Sequence, residues 1–180
     1  MDTDSPRSLR CDRGWTKPAA ARPAATPSSI AKETYMGDKT AGDIKITSDK
    51  ATVMDVIADL ATYPEWADGV KNIDVHETFD DGRPKLATFS FASGPVKDEF
   101  TLLYDFNGND SVSWKLTEGH VITQEQGTYT LTDNGNGTVT VLYDLEVGIN
   151  MPLPGFAKRK AAKQMVKVAL NGLKDRVESL

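Results

Sequence analysis

The sequence predicts an α+β domain in which a seven-stranded antiparallel sheet wraps around one long C-terminal helix. Three observations predict it. Between Ala162 and the last residue, Ala162, Met165, Val166, Ala169, Leu170, Leu173, Val177 and Leu180 recur at steps of three and four, the apolar stripe of a helix. Between Ile44 and Val147 the apolar residues instead recur at every second position, the period of half-buried strands. The junctions between those segments carry Gly, Asn, Asp or Pro, as tight hairpins require. A sheet of that width has more inner face than one helix fills, so an internal hydrophobic cavity walled by aromatic side chains is expected.

In chain order, Met1–Tyr35 holds four prolines, many alanines and serines and no hydrophobic period. It reads as a disordered N-terminal segment or an over-extended start, with the functional domain spanning 36–180. It lacks the continuous apolar core of a secretory signal, and Asp2, Asp4 and Asp12 are out of place in an organellar transit peptide. Gly42–Thr47 is the first strand. Ser48 or Asp49 caps a helix whose apolar positions are Val53, Met54, Val56, Ile57 and Leu60. Pro64 disfavours the helical conformation at Tyr63, so the helix breaks there and a short turn follows over 65–70. Six strands then form a meander. Their inward phases are Ile73 to Phe79; Ala87, Phe89 and Phe91; Asp98 to Phe106; Val112 to Leu116; Gly127 to Leu131; and Val139 to Val147. Met151-Pro152-Leu153-Pro154-Gly155-Phe156 interrupts regular structure before the final helix of about 24 residues.

The formal charge of −5 argues against a nucleic-acid-binding surface. Cys11 is alone, so no disulfide framework or cysteine metal site exists, and a reducing, cytoplasmic setting is expected. No apolar run is long enough to cross a membrane as a helix. No His, Asp and Glu cluster has metal-ligand spacing, and no nucleophile–histidine motif or phosphate loop occurs, so neither metal nor cofactor is expected.

Several segments resemble a known family. Val53-Met54-Asp55-Val56-Ile57-Ala58-Asp59-Leu60 followed by Tyr63-Pro64-Glu65-Trp66 is similar to the opening of the polyketide cyclase/dehydrase family within the START-like, or SRPBCC, superfamily. So are Val112-Ser113-Trp114-Lys115-Leu116, Gly127-Thr128-Tyr129-Thr130-Leu131 and Pro152-Leu153-Pro154-Gly155-Phe156 before a basic helix. The likeness covers residues 42–180, is nearest to single-domain actinobacterial-type members, and implies the helix-grip fold. It also implies a pocket for a hydrophobic molecule: a lipid, polyketide or isoprenoid-like compound. Enzymatic members place polar residues such as arginine inside that pocket. Here no arginine is in phase with an inner strand face, which favours a binder or carrier without catalysis.

Two alternatives stay open: a polyketide cyclase/dehydratase acting on a poly-β-ketone, and a coenzyme Q-binding-like module presenting quinone or lipid at a membrane. For the enzymatic alternative the candidate acid is Asp98, whose strand continues inward through Phe100, Leu102 and Tyr104. Glu77 and Glu125 share the inward phase but lie near strand ends, where a bulge or fraying turns a side chain to water. Ligand contacts are expected from Trp66, Phe89, Phe91, Phe100, Tyr104, Trp114, Tyr129, Phe156 and Met165. Trp66 and the loop Leu153 to Phe156 would form the entrance. Lys158, Arg159, Lys160 and Lys163 oppose the helix macrodipole on an otherwise acidic chain. They would dock peripherally on anionic headgroups.

Overall fold

A computed structural model describes residues 37–93 and 96–180. The expected disorder or over-extension of residues 1–35, Cys11 and the turn at Gly94-Pro95 lie outside the described residues. The elements run β1 (Asp38–Ile46), α1 (Lys50–Ala58), a single 3-10 turn (Leu60–Thr62), α2 (Tyr63–Trp66), β2 (Val70–Thr78), β3 (Pro84–Ser93), β4 (Val96–Asn107), β5 (Ser111–Glu118), β6 (Ile122–Asp133), β7 (Val139–Ile149) and α3 (Gly155–Glu178). The strands form one antiparallel sheet in the order β1-β7-β6-β5-β4-β3-β2. The meander thus runs from one edge, and β1 joins its far side, leaving α1 and α2 to link the two edges.

Asp49 rather than Ser48 caps α1. Its carboxylate accepts the backbone N–H of Thr52 at 3.0 Å and the Thr52 hydroxyl at 2.8 Å, filling donors that a helix start leaves open. The expected break falls four residues earlier, at the non-helical Asp59 (φ −79°, ψ 72°), whereas Tyr63 is itself helical (φ −54°, ψ −39°) and opens α2 with Pro64 in the first turn. A proline is tolerated in that turn because its missing N–H has no helical acceptor. The bias against a helical residue before proline is overridden because the Tyr63 hydroxyl donates to the Ile57 carbonyl at 2.7 Å, tying α2 back onto α1.

Helix α3 buries Ala162, Val166, Leu170, Leu173 and Val177 against β1, β7 and α1, each larger side chain contributing roughly 1.5–3 kcal/mol. Both ends are pinned to strand backbone. Lys158 donates to the Ile149 carbonyl at 2.9 Å and Lys174 to the Lys45 carbonyl at 2.8 Å, while Glu178 accepts the Thr47 N–H at 2.9 Å. Gly172, the glycine in the interior of α3, sits where Trp66 crosses: a Cβ there would lie 2.8 Å from the Trp66 carbonyl oxygen. The glycine is what lets α2 lie against α3.

Candidate functional site: the aromatic inner face and Glu125

The alternation of the strands delivers one face of rings. Phe89 and Phe100, opposite each other on β3 and β4, stack with centroids 5.4 Å apart and planes 2° from parallel. Phe91 leans on Phe100 at 6.3 Å, and Tyr63 meets Phe89 edge-on at 6.5 Å. Across β4 to β7 a second group forms around Trp114: Tyr104 at 6.0 Å, Tyr129 at 5.2 Å and Tyr143 at 5.6 Å, with Tyr129 and Tyr143 4.5 Å apart. The Trp114 indole occupies the place of a side chain at Gly127, its partner on β6, where a Cβ would fall 2.3 Å from the ring. Any larger residue at Gly127 would push the indole off the sheet.

Polar groups on this face are few. The Trp114 Nε1–H donates to Glu125 Oε1 at 3.2 Å. The other carboxyl oxygen, Oε2, is sealed from solvent with no partner, alone in this among buried side-chain polar atoms of the described residues. Burial, opposed only by the indole bond, pushes the Glu125 carboxyl up to about 7. The hydroxyls of Tyr104, Tyr129 and Tyr143 also have no hydrogen-bond partner among the described residues, yet they are not sealed like Oε2, so they border open space. Burial raises all three phenols well above their ordinary range, and Glu125 adds to the shift in each. The result is an aromatic chamber wall with three free hydroxyls and one buried acid behind them.

Of the residues expected to touch ligand, Phe89, Phe100, Tyr104, Trp114 and Tyr129 are brought together here, with Phe91 half-buried at the margin and Met165 half-buried on α3. Trp66 packs on Tyr63 (4.5 Å) and Gly172, a structural bridge between α2 and α3. Phe156 is 70% exposed and lies outside the chamber. Asp98, the candidate acid of the enzymatic alternative, is bound up as a clamp. Its side chain is only 2% exposed, and it accepts the backbone N–H groups of Glu99, His120, Val121 and Ile122 at 2.7–3.4 Å, closing the β5–β6 turn. Glu77 is turned outward by register shifts in β2 and pairs with Lys85 at 2.7 Å. Lys158 is half-buried on the Ile149 carbonyl, so it anchors α3 and does not project with Arg159, Lys160 and Lys163.

Sequence reasoning passed over Tyr63 and Tyr143 and placed Glu125 below Asp98. Tyr143 shares the inward phase of β7, which was signal enough; Tyr63 was obscured by the proline after it. One hollow of about 1050 Å³ is lined by outward-phase residues such as Asp105, Lys115, Gln126, Thr128 and Asp144, and it also touches Tyr104, Trp114 and Gly127.

The family model for polyketide cyclase/dehydrase and lipid transport proteins matches residues 39–178. The chain belongs to this family. Among solved structures, a START superfamily protein from Mycobacterium smegmatis aligns with TM-score 0.73 at 20% identity, covering 79% of this chain and 99% of that one. The Zhui aromatase/cyclase from a Streptomyces species aligns with TM-score 0.58 at 11% identity, over 78% of this chain and 93% of that one. One di-domain aromatase/cyclase, StfQ of steffimycin biosynthesis, aligns with TM-score 0.61 at 10% identity, over 77% of this chain and 44% of that one. At these identities the likeness establishes the helix-grip fold. No curated protein matches the chain in sequence. Among the described residues no helix is long and apolar enough to cross a membrane, and no group of three His, Cys, Asp or Glu side chains could hold a metal ion.

Proposed function

We propose that this protein binds and carries a hydrophobic small molecule of lipid, polyketide or isoprenoid type between its sheet and α3. The observation that carries the reading is the set of three phenol hydroxyls, Tyr104, Tyr129 and Tyr143, free of protein partners on an otherwise apolar wall. Hydroxyls that pack against nothing in the protein are costly unless something polar reaches them. An apolar guest with one or two oxygens satisfies them while its body lies on the rings. Solvent extraction and mass spectrometry of the purified protein should release one apolar molecule per chain; an interior holding water alone would overturn the reading.

Loading from an anionic bilayer is part of the proposal. Phe156, 70% exposed, lines a shallow groove on α3 with Arg159, Lys160, Lys163 and Lys167, and none of the four cations has an acidic partner among the described residues. On a chain of charge −5, a cationic strip beside an exposed ring is complementary to anionic headgroups. The protein should co-sediment with phosphatidylglycerol vesicles at low salt and stay in solution with phosphatidylcholine. Changing Arg159, Lys160 and Lys163 to Gln should release it at least tenfold, and unchanged sedimentation would sink the docking surface. The cyclase/dehydratase reading rests on a different residue from the one the sequence favoured: among the described residues, Glu125 is the acid on the chamber wall with an oxygen left without a partner.

A further inference from the structure

We propose that Glu125 is the specificity determinant of the chamber, an acceptor for a hydrogen-bond donor on the guest, so that the protein selects hydrophobic alcohols or phenols over their ethers. The inference rests on the ligand-binding reading above and names the chemistry that reading leaves open.

The geometry is asymmetric. Glu125 Oε1 is held by the Trp114 indole N–H at 3.2 Å, which fixes the carboxyl against the ring cluster. Oε2 has nothing. The rings around that indole are those of Tyr104, Tyr129 and Tyr143, at 6.0, 5.2 and 5.6 Å between centroids. Their hydroxyls border open space, whereas Oε2 is sealed from it. The terminal torsion of a glutamate is soft and two-fold, so a guest hydroxyl entering between the phenols can draw Oε2 toward it. A buried acceptor with no internal partner is a large cost that a donor on the guest removes and an ether oxygen does not. That difference is the basis of strong discrimination: a site built to bond a hydroxyl rejects the analogue lacking it far more firmly than an apolar pocket distinguishes a methyl group. The tyrosines alone would produce less of it, since a phenol O–H donates to an ether as readily as to an alcohol and its neutral oxygen accepts more weakly than a carboxylate.

Burial holds this carboxyl at about 7, so its acceptor strength rises through neutrality. An ionised carboxylate accepts only, whereas the protonated acid has one oxygen occupied by its own proton. Selection for the hydroxyl should therefore sharpen between pH 5.5 and pH 8.5.

The test is calorimetric titration of the full chain with 2-naphthol and with 2-methoxynaphthalene at both pH values. Wild-type protein should bind the naphthol at least tenfold tighter at the higher pH, with the ratio shrinking severalfold at the lower. Glu125→Leu should bind the two within about threefold at either pH. Should the unpaired indole N–H keep that variant from folding, Glu125→Gln preserves an acceptor for Trp114, and its naphthol preference should no longer change with pH. Equal wild-type affinity for both compounds, or an undiminished pH-dependent preference in the Gln variant, overturns the role of Glu125 while leaving ligand binding intact. Binding of neither compound overturns both readings together.

Discussion

Glu125 and Glu146 lie on the paired strands β6 and β7 and are equally hidden at 8% exposure, yet their carboxyls are driven in opposite directions. Glu146 is on the outer face, where Gln126 and Gln124 donate to its two oxygens at 2.7 and 2.8 Å and Lys39 lies 3.2 Å away. The Gln126 bond above all, with help from Lys39 and Gln124, holds it below the usual carboxylate range. Its cover is thin, since Lys39 is itself 69% exposed. Glu125 faces inward, where its neighbours are rings and one indole N–H, and desolvation wins. Low exposure does not set a carboxyl's behaviour; the number of donors within reach does. The outer acid is finished as a structural element, and the inner one is left chemically open.

Replacing Glu125 by Gln breaks the comparison most sharply. An unfolded-state carboxyl titrates near 4.5 and the folded one near 7, so below pH 4.5 both states hold the proton and nothing is lost. Between pH 4.5 and 7 unfolding releases a proton, so wild-type stability falls as pH rises, by a total on the order of 3 kcal/mol, and stays at that level above 7. Urea unfolding of the Gln variant across pH 5–8 should lack this slope. A slope unchanged by the substitution would mean that Glu125 is solvated. The smaller effect belongs to Glu146→Gln, and its sign is reversed. A depressed carboxyl supports the fold above its unfolded value near 4.5 and loses that support as pH falls through the folded value. The variant should be modestly less stable than wild type at pH 7, and the difference should shrink as the solution is acidified below pH 4.5. Equality at pH 7 would show the outer network to be inert, as exposed pairs often are.

Much of the fold was readable without coordinates because periodicity is a local property. The period of two in Val139 to Val147 and of nearly four in Ala162 to Leu180 each name an element and the face it buries. Which strand borders which strand was partly readable as well, since hairpins pair neighbours in the chain. The site was legible only as a set of inward aromatics: Phe89, Phe100, Tyr104, Trp114 and Tyr129 follow from phase alone.

Phase could not separate the three inward acids, because Glu77, Asp98 and Glu125 obey the same alternation. Tertiary structure separated them. Register shifts in β2 turn Glu77 out to Lys85. The β5–β6 turn folds back so that four backbone N–H groups reach Asp98. Among the described residues, the hydrogen bond Glu125 receives comes from the Trp114 indole, lying over Gly127. The sequence by itself determined which residues face inward, since side-chain direction follows from backbone period. What each inward acid meets there was decided by contacts between strands far apart in the chain, which the local pattern does not encode.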